Sequence, residues 1–222
     1  VSNLNWGDFE THFGEEKLKD MFSGVDILGL GYWSLTANFD ELFQGFMQQY
    51  ETTPPPRRMF FDFADIKKKS SESFIKSLEL IRSFSSKIPM VFSLNEHEVL
   101  ELFSRIGVAR PELTPKAISA ALAIAREKIG FAELVVHTPE FAAASSAVEG
   151  EAYALQERQS KVVRLAGAGD SFNGGYLCAS LGDLPLKERL VVANAVTAFF
   201  VTHGHPPTKA ELIAQIEKAS DR

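Results

Sequence analysis

The chain has 222 residues, 45% of them hydrophobic, enough to bury a sizeable core, and a net charge of −6 that excludes any general attraction for polyanions such as nucleic acid. A lone cysteine, Cys178, excludes an intramolecular disulfide and fits a reducing, cytoplasmic setting. No apolar run approaches the ~20 residues of a membrane span, and the opening VSNLNWGDFE lacks the charged and apolar regions of a signal peptide, so no membrane partner is expected.

In chain order, residues 15–23 read as a short helix and the apolar run 25–30, bounded by glycines, as a buried strand. A polar helix over 38–50 ends at Pro54, Pro55 and Pro56, and a second strand follows at 59–63 with the loop FDFADIKKKS after it. Phe74, Leu78, Ile81 and Phe84 at helical spacing predict a helix over 71–85, and Pro89 opens a strand at 90–94. A helix over 95–103 is entered directly from that strand, Pro115 suits the first turn of another helix through 128, and 134–137 is the next strand. The small residues up to Ala147, the Glu149-Gly150 turn signal and the run 152–155 predict an antiparallel hairpin over 141–155. Helices over 170–181, 186–202 and 208–219 complete the chain, punctuated by Gly204 and the Pro206-Pro207 pair. Strands alternating with helices predict an α/β fold, a mainly parallel sheet covered on both faces. No repeat or linker divides residues 1–222, which read as a single domain; Val1, where an intact gene product normally begins with Met, raises the expectation of a fragment or a partly ordered product.

The segment LAGAGDSFNGGY, residues 165–176, carries the chemistry. Glycines flank Ala168 just before a helix with an acid in its first turn. Free amides at a helix N-terminus, together with the helix dipole, favour a bound phosphate, and glycines let it approach closely. Asp170 is then placed to take a proton from an attacking hydroxyl while the amides hold charge on a moving phosphoryl group. The alternative on spacing alone is that Asp170 caps the helix and the glycines make a tight turn.

GAGDSFNGGY resembles the C-terminal signature of the ribokinase-like (PfkB) carbohydrate kinases. The resemblance runs from about Val25 to the C-terminus and implies a ribokinase-like, Rossmann-like three-layer fold. It implies Asp170 as catalytic base and Gly167, Ala168 and Gly169 as the anion hole. Asn95-Glu96-His97-Glu98, directly after a strand, looks like the family's Asn-x-x-Glu motif, which implies that Asn95 and Glu98 organise donor phosphates and, through water, Mg²⁺. Taken alone, Asn95 reads more readily as a helix cap and Glu98 as a solvated first-turn acid. HTPEFAAA stands where many members carry Thr-x-Gly-x-x-Gly, leaving Thr138 as the polar contact to the donor. Asn194 and the turn from His203 to Pro207, including Gly204, are the implied adenine side. The family's N-terminal lid, with its sugar-contacting aspartate, is not found in the chain.

The implied activity is transfer of a phosphoryl group from ATP, with Mg²⁺, to a hydroxyl of a sugar or small polyol, with a homodimer left open. The alternative is a catalytically inactive member that binds a nucleotide or metabolite, favoured by the altered donor loop. A metal-dependent hydrolase built on His203 and His205 lacks a clear third ligand.

Overall fold

Alternation along the strands decides which side of the sheet each residue serves. The computed structural model describes residues 4–156 and 158–220, so Val1 lies outside them. Six strands, β1 (Ile27–Gly31), β2 (Arg58–Asp62), β3 (Met90–Asn95), β4 (Glu133–His137), β5 (Phe141–Ser146) and β6 (Gly150–Leu155), form one sheet in that spatial order. The first four are parallel; β4–β5 and β5–β6 are antiparallel, as the hairpin pattern predicts. Side chains two apart in a strand share a face. Met59, Phe61, Met90, Phe92, Leu134 and Val136 therefore point one way, and all are fully buried. Each such side chain contributes about 2 kcal/mol by leaving water. Their helical cover comprises α3 (Phe39–Gln49), α4 (Ser71–Arg82), α5 (Glu96–Ile106) and α6 (Pro115–Ile129), which supply Phe43, Phe74, Leu102 and Leu122 to the same cluster.

The opposite parity gives a different face. This face carries Arg58, Phe60 and Asp62 from β2, Val91, Ser93 and Asn95 from β3, and Glu133, Val135 and His137 from β4, with Arg58 and Glu133 toward the start of the strands and Asp62, Asn95 and His137 at their carboxyl ends. Over this face pack α7 (Ala168–Leu181) and α8 (Leu186–His203), through Phe172, Tyr176, Leu190 and Ala193. At the N-terminal end of the strands, buried Glu133 accepts hydrogen bonds from Arg58 (3.1 Å), Arg189 (2.6 Å) and Tyr176 (3.1 Å). A buried carboxylate needs such partners, and these pin both helices to the sheet. The charged end of the face thus fixes α7, and the other end is free to build a site.

The predicted helices are all present, with no end shifted by more than three residues. One α-helix was not anticipated from the residues: α1 (Trp6–Phe13), preceding α2 (Glu15–Phe22). Asn5 and Asp8 form a reciprocal capping box there, and the Trp6 indole lies so close to Gly45 of α3 that no Cβ fits between them. A final helix, α9 (Lys209–Ser220), follows α8. Among the described residues no helix is long and apolar enough to cross a membrane.

Candidate active site

Parallel pairing brings four strand ends together. Gly31 is in register with Asp62, Asp62 with Ser93, and Asn95 with His137. Ligands in such sheets bind beyond the carboxyl ends of the strands, and here the start of α7 lies over that edge. Gly167 caps α7 in the left-handed region, φ 94°, where glycine alone sits without strain. A Cβ at Gly167 would lie 3.2 Å from Phe200 and 4.0 Å from Asp170 Oδ2, so the carboxylate reaches back over the turn.

The anion-hole expectation needs one correction. The Ala168 N–H donates to the Leu165 carbonyl at 2.9 Å, so Ala168 lines the site without offering its amide. Among the described residues the amides of Gly167, Gly169 and Asp170 have no acceptor, because the first helical bond runs from Ser171 N–H to the Gly167 carbonyl. Three free donors and a carboxylate at a helix start can hold an anion and take a proton beside it.

Asp62, absent from the sequence-level candidates, sets the pose of α7. Asn173, one turn beyond Asp170, donates to Asp62 Oδ2 at 2.7 Å and accepts from Ser93 Oγ at 2.7 Å. Asp62 Oδ1 accepts from the Ala64 N–H at 3.0 Å. Burial raises the Asp62 pKa, with the nearby Asp170 charge adding to the rise. Its signal in the sequence is parity: an acid at the end of an apolar strand, on the face that carries Phe60.

Asn95 and Glu98 realise the capping reading and also line the site. Asn95 Oδ1 accepts from the His97 and Glu98 amides at 2.9 and 3.0 Å, and Glu98 Oε2 accepts from the Asn95 amide at 2.9 Å. Both residues border the cavity that holds Asp62 and Asp170. Burial pushes Glu98 up to about 7, helped by the charges of Asp62 and Asp65. A cation near it would relieve that cost. Among the described residues no group of three or more His, Cys, Asp or Glu is arranged to hold a metal directly. The carboxylates present fit Mg²⁺, which keeps waters and takes one or two carboxylates plus substrate phosphates.

A second cavity adjoins the first and is more apolar, bordered by Pro139, Val162, Leu165, Phe172 and Val201, with Gln156 and Arg158 at its polar side. Thr138 borders it too, but its hydroxyl is committed to its own turn: it accepts from the Glu140 and Phe141 amides at 3.1 and 3.0 Å and donates to the Phe141 carbonyl at 2.9 Å. Asn194 lies elsewhere, buried beneath β6 with its Nδ2 donating to the Ala154 and Leu155 carbonyls. Gly204 ends α8 at φ 82° against Val163. His203 stacks on Phe199, ring centroids 4.0 Å apart. None of Asn194, His203, Gly204 and His205 borders either cavity; α8 contributes Thr197 and Val201 instead. A polar residue on a helix reads the same from sequence whether it faces a ligand or a neighbouring strand's carbonyls.

A family model described as prokaryotic ketohexokinase matches residues 1–219. A ketohexokinase from Haloferax volcanii is 28% identical over 216 residues, covering 96% of this chain and 56% of that protein. The chain thus spans about half the length of the curated relative it matches. Among solved structures, a phosphofructokinase-2 mutant from Escherichia coli superimposes with a TM-score of 0.69 at 17% identity, over 98% of this chain and 63% of that one. A 2-dehydro-3-deoxygluconokinase from Thermotoga maritima gives 0.69 at 15%, over 100% and 65%. A candidate ribokinase II from Escherichia coli, in complex with ATP and Mg²⁺, gives 0.63 at 18%, over 90% and 61%. These likenesses show the ribokinase-like α/β fold.

Proposed function

We propose, from the premise that this chain belongs to the prokaryotic ketohexokinase family, that it supplies the donor site and catalytic base of an ATP- and Mg²⁺-dependent kinase acting on a hydroxyl of a keto sugar. The observation that carries this reading is the pairing of Asp170 with the unpartnered amides of Gly167, Gly169 and Asp170, lining a cavity that adjoins a mainly apolar one. Phosphoryl transfer asks the protein chiefly for positioning and for stabilisation of charge on the transferred group. The Asp170 carboxylate accepts the proton of the acceptor hydroxyl, and the free amides donate to oxygens of the transferred group. Asn173, held by Asp62 and Ser93, fixes the rotation of α7 and so the direction of Asp170. The apolar cavity along Val162 and Phe172 takes the base of the nucleotide, with Arg158 on the polar side. Mg²⁺, bound through water to Glu98, would supply charge neutralisation of the donor phosphates. The name of the Haloferax volcanii relative supports a ketohexose acceptor, and the ATP and Mg²⁺ in the ribokinase II neighbour support the cofactors.

The share of the relatives that the chain covers supports reading it as one α/β domain of a longer kinase, with acceptor contacts and water exclusion completed by further sequence. The test is direct. The full-length protein, given ATP, Mg²⁺ and a panel of ketohexoses and aldohexoses, should yield a ketohexose phosphate visible by ³¹P NMR. Transfer to no sugar in the panel rejects the reading. The turn closed by Thr138 favours a second one, a non-catalytic nucleotide-binding member; calorimetric nucleotide binding without any transfer would select it.

A further inference from the structure

Two cavities meet at the strand ends, and the wall they share is made of Asn95, His137, Leu165, Ala168 and Gly169. His137 is the one titratable side chain in that wall. Its ring packs on Phe172, centroids 4.9 Å apart. Its Cε1–Nε2 edge presses on the start of α7, since a Cβ built at Gly169 would lie 3.3 Å from Cε1 and 3.6 Å from Nε2. No hydrogen bond from a described residue reaches either ring nitrogen. The ring nitrogens are not among the fully buried unpartnered atoms, so they open toward the cavities that the residue borders. An imidazole packed on an aromatic ring, with no partner among the described residues and bordering both cavities, is arranged for something that arrives there.

We propose that His137 is a phosphoryl-contacting residue of the transfer step, its ring N–H donating to an oxygen of the phosphoryl group as that group passes from the nucleotide cavity to the Asp170 cavity. This rests on the kinase reading. In the step, the acceptor O–H bond breaks with its proton going to Asp170, the new P–O bond to the acceptor forms, and the P–O bond to the nucleoside diphosphate breaks. His137 neither gains nor loses a proton. Burial supports this role by pushing its pKa down to about 4, so that near neutral pH the ring carries one N–H and no charge. A neutral donor does not clamp the bound triphosphate as a cation would. Its contribution rises as charge collects on the group in transit, and packing on Phe172 fixes it beforehand. The neighbouring turn leaves room for such a donor, because the Glu140 and Phe141 amides are both taken up by Thr138.

Three measurements on the full-length protein test this. His137→Phe keeps an aromatic ring against Phe172 and removes the N–H; kcat should fall about 100-fold while KM for ATP stays within about threefold. His137→Gln restores an N–H and should recover about tenfold of that loss, the reverse of what packing alone would give. Binding of Mg²⁺ and AMP-PNP to ¹⁵N-histidine-labelled wild-type protein should shift the His137 ring nitrogens, and this reading needs neither turnover nor a variant that folds. A kcat for His137→Phe within twofold of wild type, a loss confined to KM, or ring resonances unmoved at saturating AMP-PNP would overturn the proposal. A wild-type protein that transfers nothing, yet shows the ring shift, rejects the kinase reading and leaves the phosphate contact standing.

Discussion

Two turns lie side by side at the carboxyl ends of the strands and treat their backbone amides in opposite ways. The turn at 165–170 commits one amide, that of Ala168, and leaves those of Gly167, Gly169 and Asp170 open. The turn at 138–141 closes on itself: Thr138 Oγ1 takes the Glu140 and Phe141 amides, and the Thr138 amide donates to the Phe141 carbonyl. Both border the mainly apolar cavity. The difference teaches that bordering a cavity is not the same as binding in it. A ligand is held by donors that the fold leaves unmatched, and those are concentrated on the glycine-flanked turn.

Substitutions can break or sharpen this contrast. Among changes to the backbone and closure of the two turns, the largest effect should come from Gly167→Ala, which puts a Cβ at φ 94° and 3.2 Å from Phe200, shifting the open amides. Transfer should fall about 100- to 1000-fold, read as kcat/KM. An unchanged value would mean that the open turn holds no anion. Glu98→Gln should act more moderately and with a pH signature. The folded pKa of about 7 lies above the ordinary 4.5, so the folded state binds the proton more tightly, and the wild-type protein loses stability as pH rises from about 4.5 to 7. The neutral variant keeps an acceptor for the Asn95 amide. Urea melts without Mg²⁺ should therefore find Glu98→Gln more stable than wild type at pH 8, by up to roughly 3 kcal/mol, and equal to it at pH 4. The variant should also need more Mg²⁺ for activity, whereas the wild-type requirement should ease as pH passes 7. Equal stability at both pH values would remove the buried charge from the account. Smallest for turnover is Thr138→Val, which strands the closed turn's amides: stability should drop about 1–3 kcal/mol with nucleotide affinity within about twofold. A tenfold loss of affinity at unchanged stability would instead restore Thr138 as a donor contact.

Much of this was legible in the residues, and the limits have physical causes. Helix and strand types from residue 15 onward follow from apolar period and from Gly and Pro punctuation, because each element buries one face. The helix α1 was not, since its burial depends on Trp6 meeting Gly45, a contact across 39 positions that no local pattern carries. Asp170 and the glycines were legible because a free helix start has a local signature. Asp62 and His137 were hidden: each ends an apolar strand, and its role appears only when parity and strand register bring both to one face beside α7. Asn194 misled for the converse reason, its Nδ2 being matched by β6 carbonyls that only the folded chain brings near. Ala168 belonged to the right turn, but its amide is closed by a bond to Leu165 that motif spacing does not reveal.

The central claim is that Asp170 is the base beside an anion hole that works without it. Asp170→Asn in the full-length protein, measured for ketohexose phosphorylation by ATP and, by calorimetry, for Mg²⁺–ADP binding, tests it most directly. The account predicts kcat lower by about 10³- to 10⁴-fold with nucleotide affinity within about threefold of wild type. Near-normal turnover by that variant would contradict it.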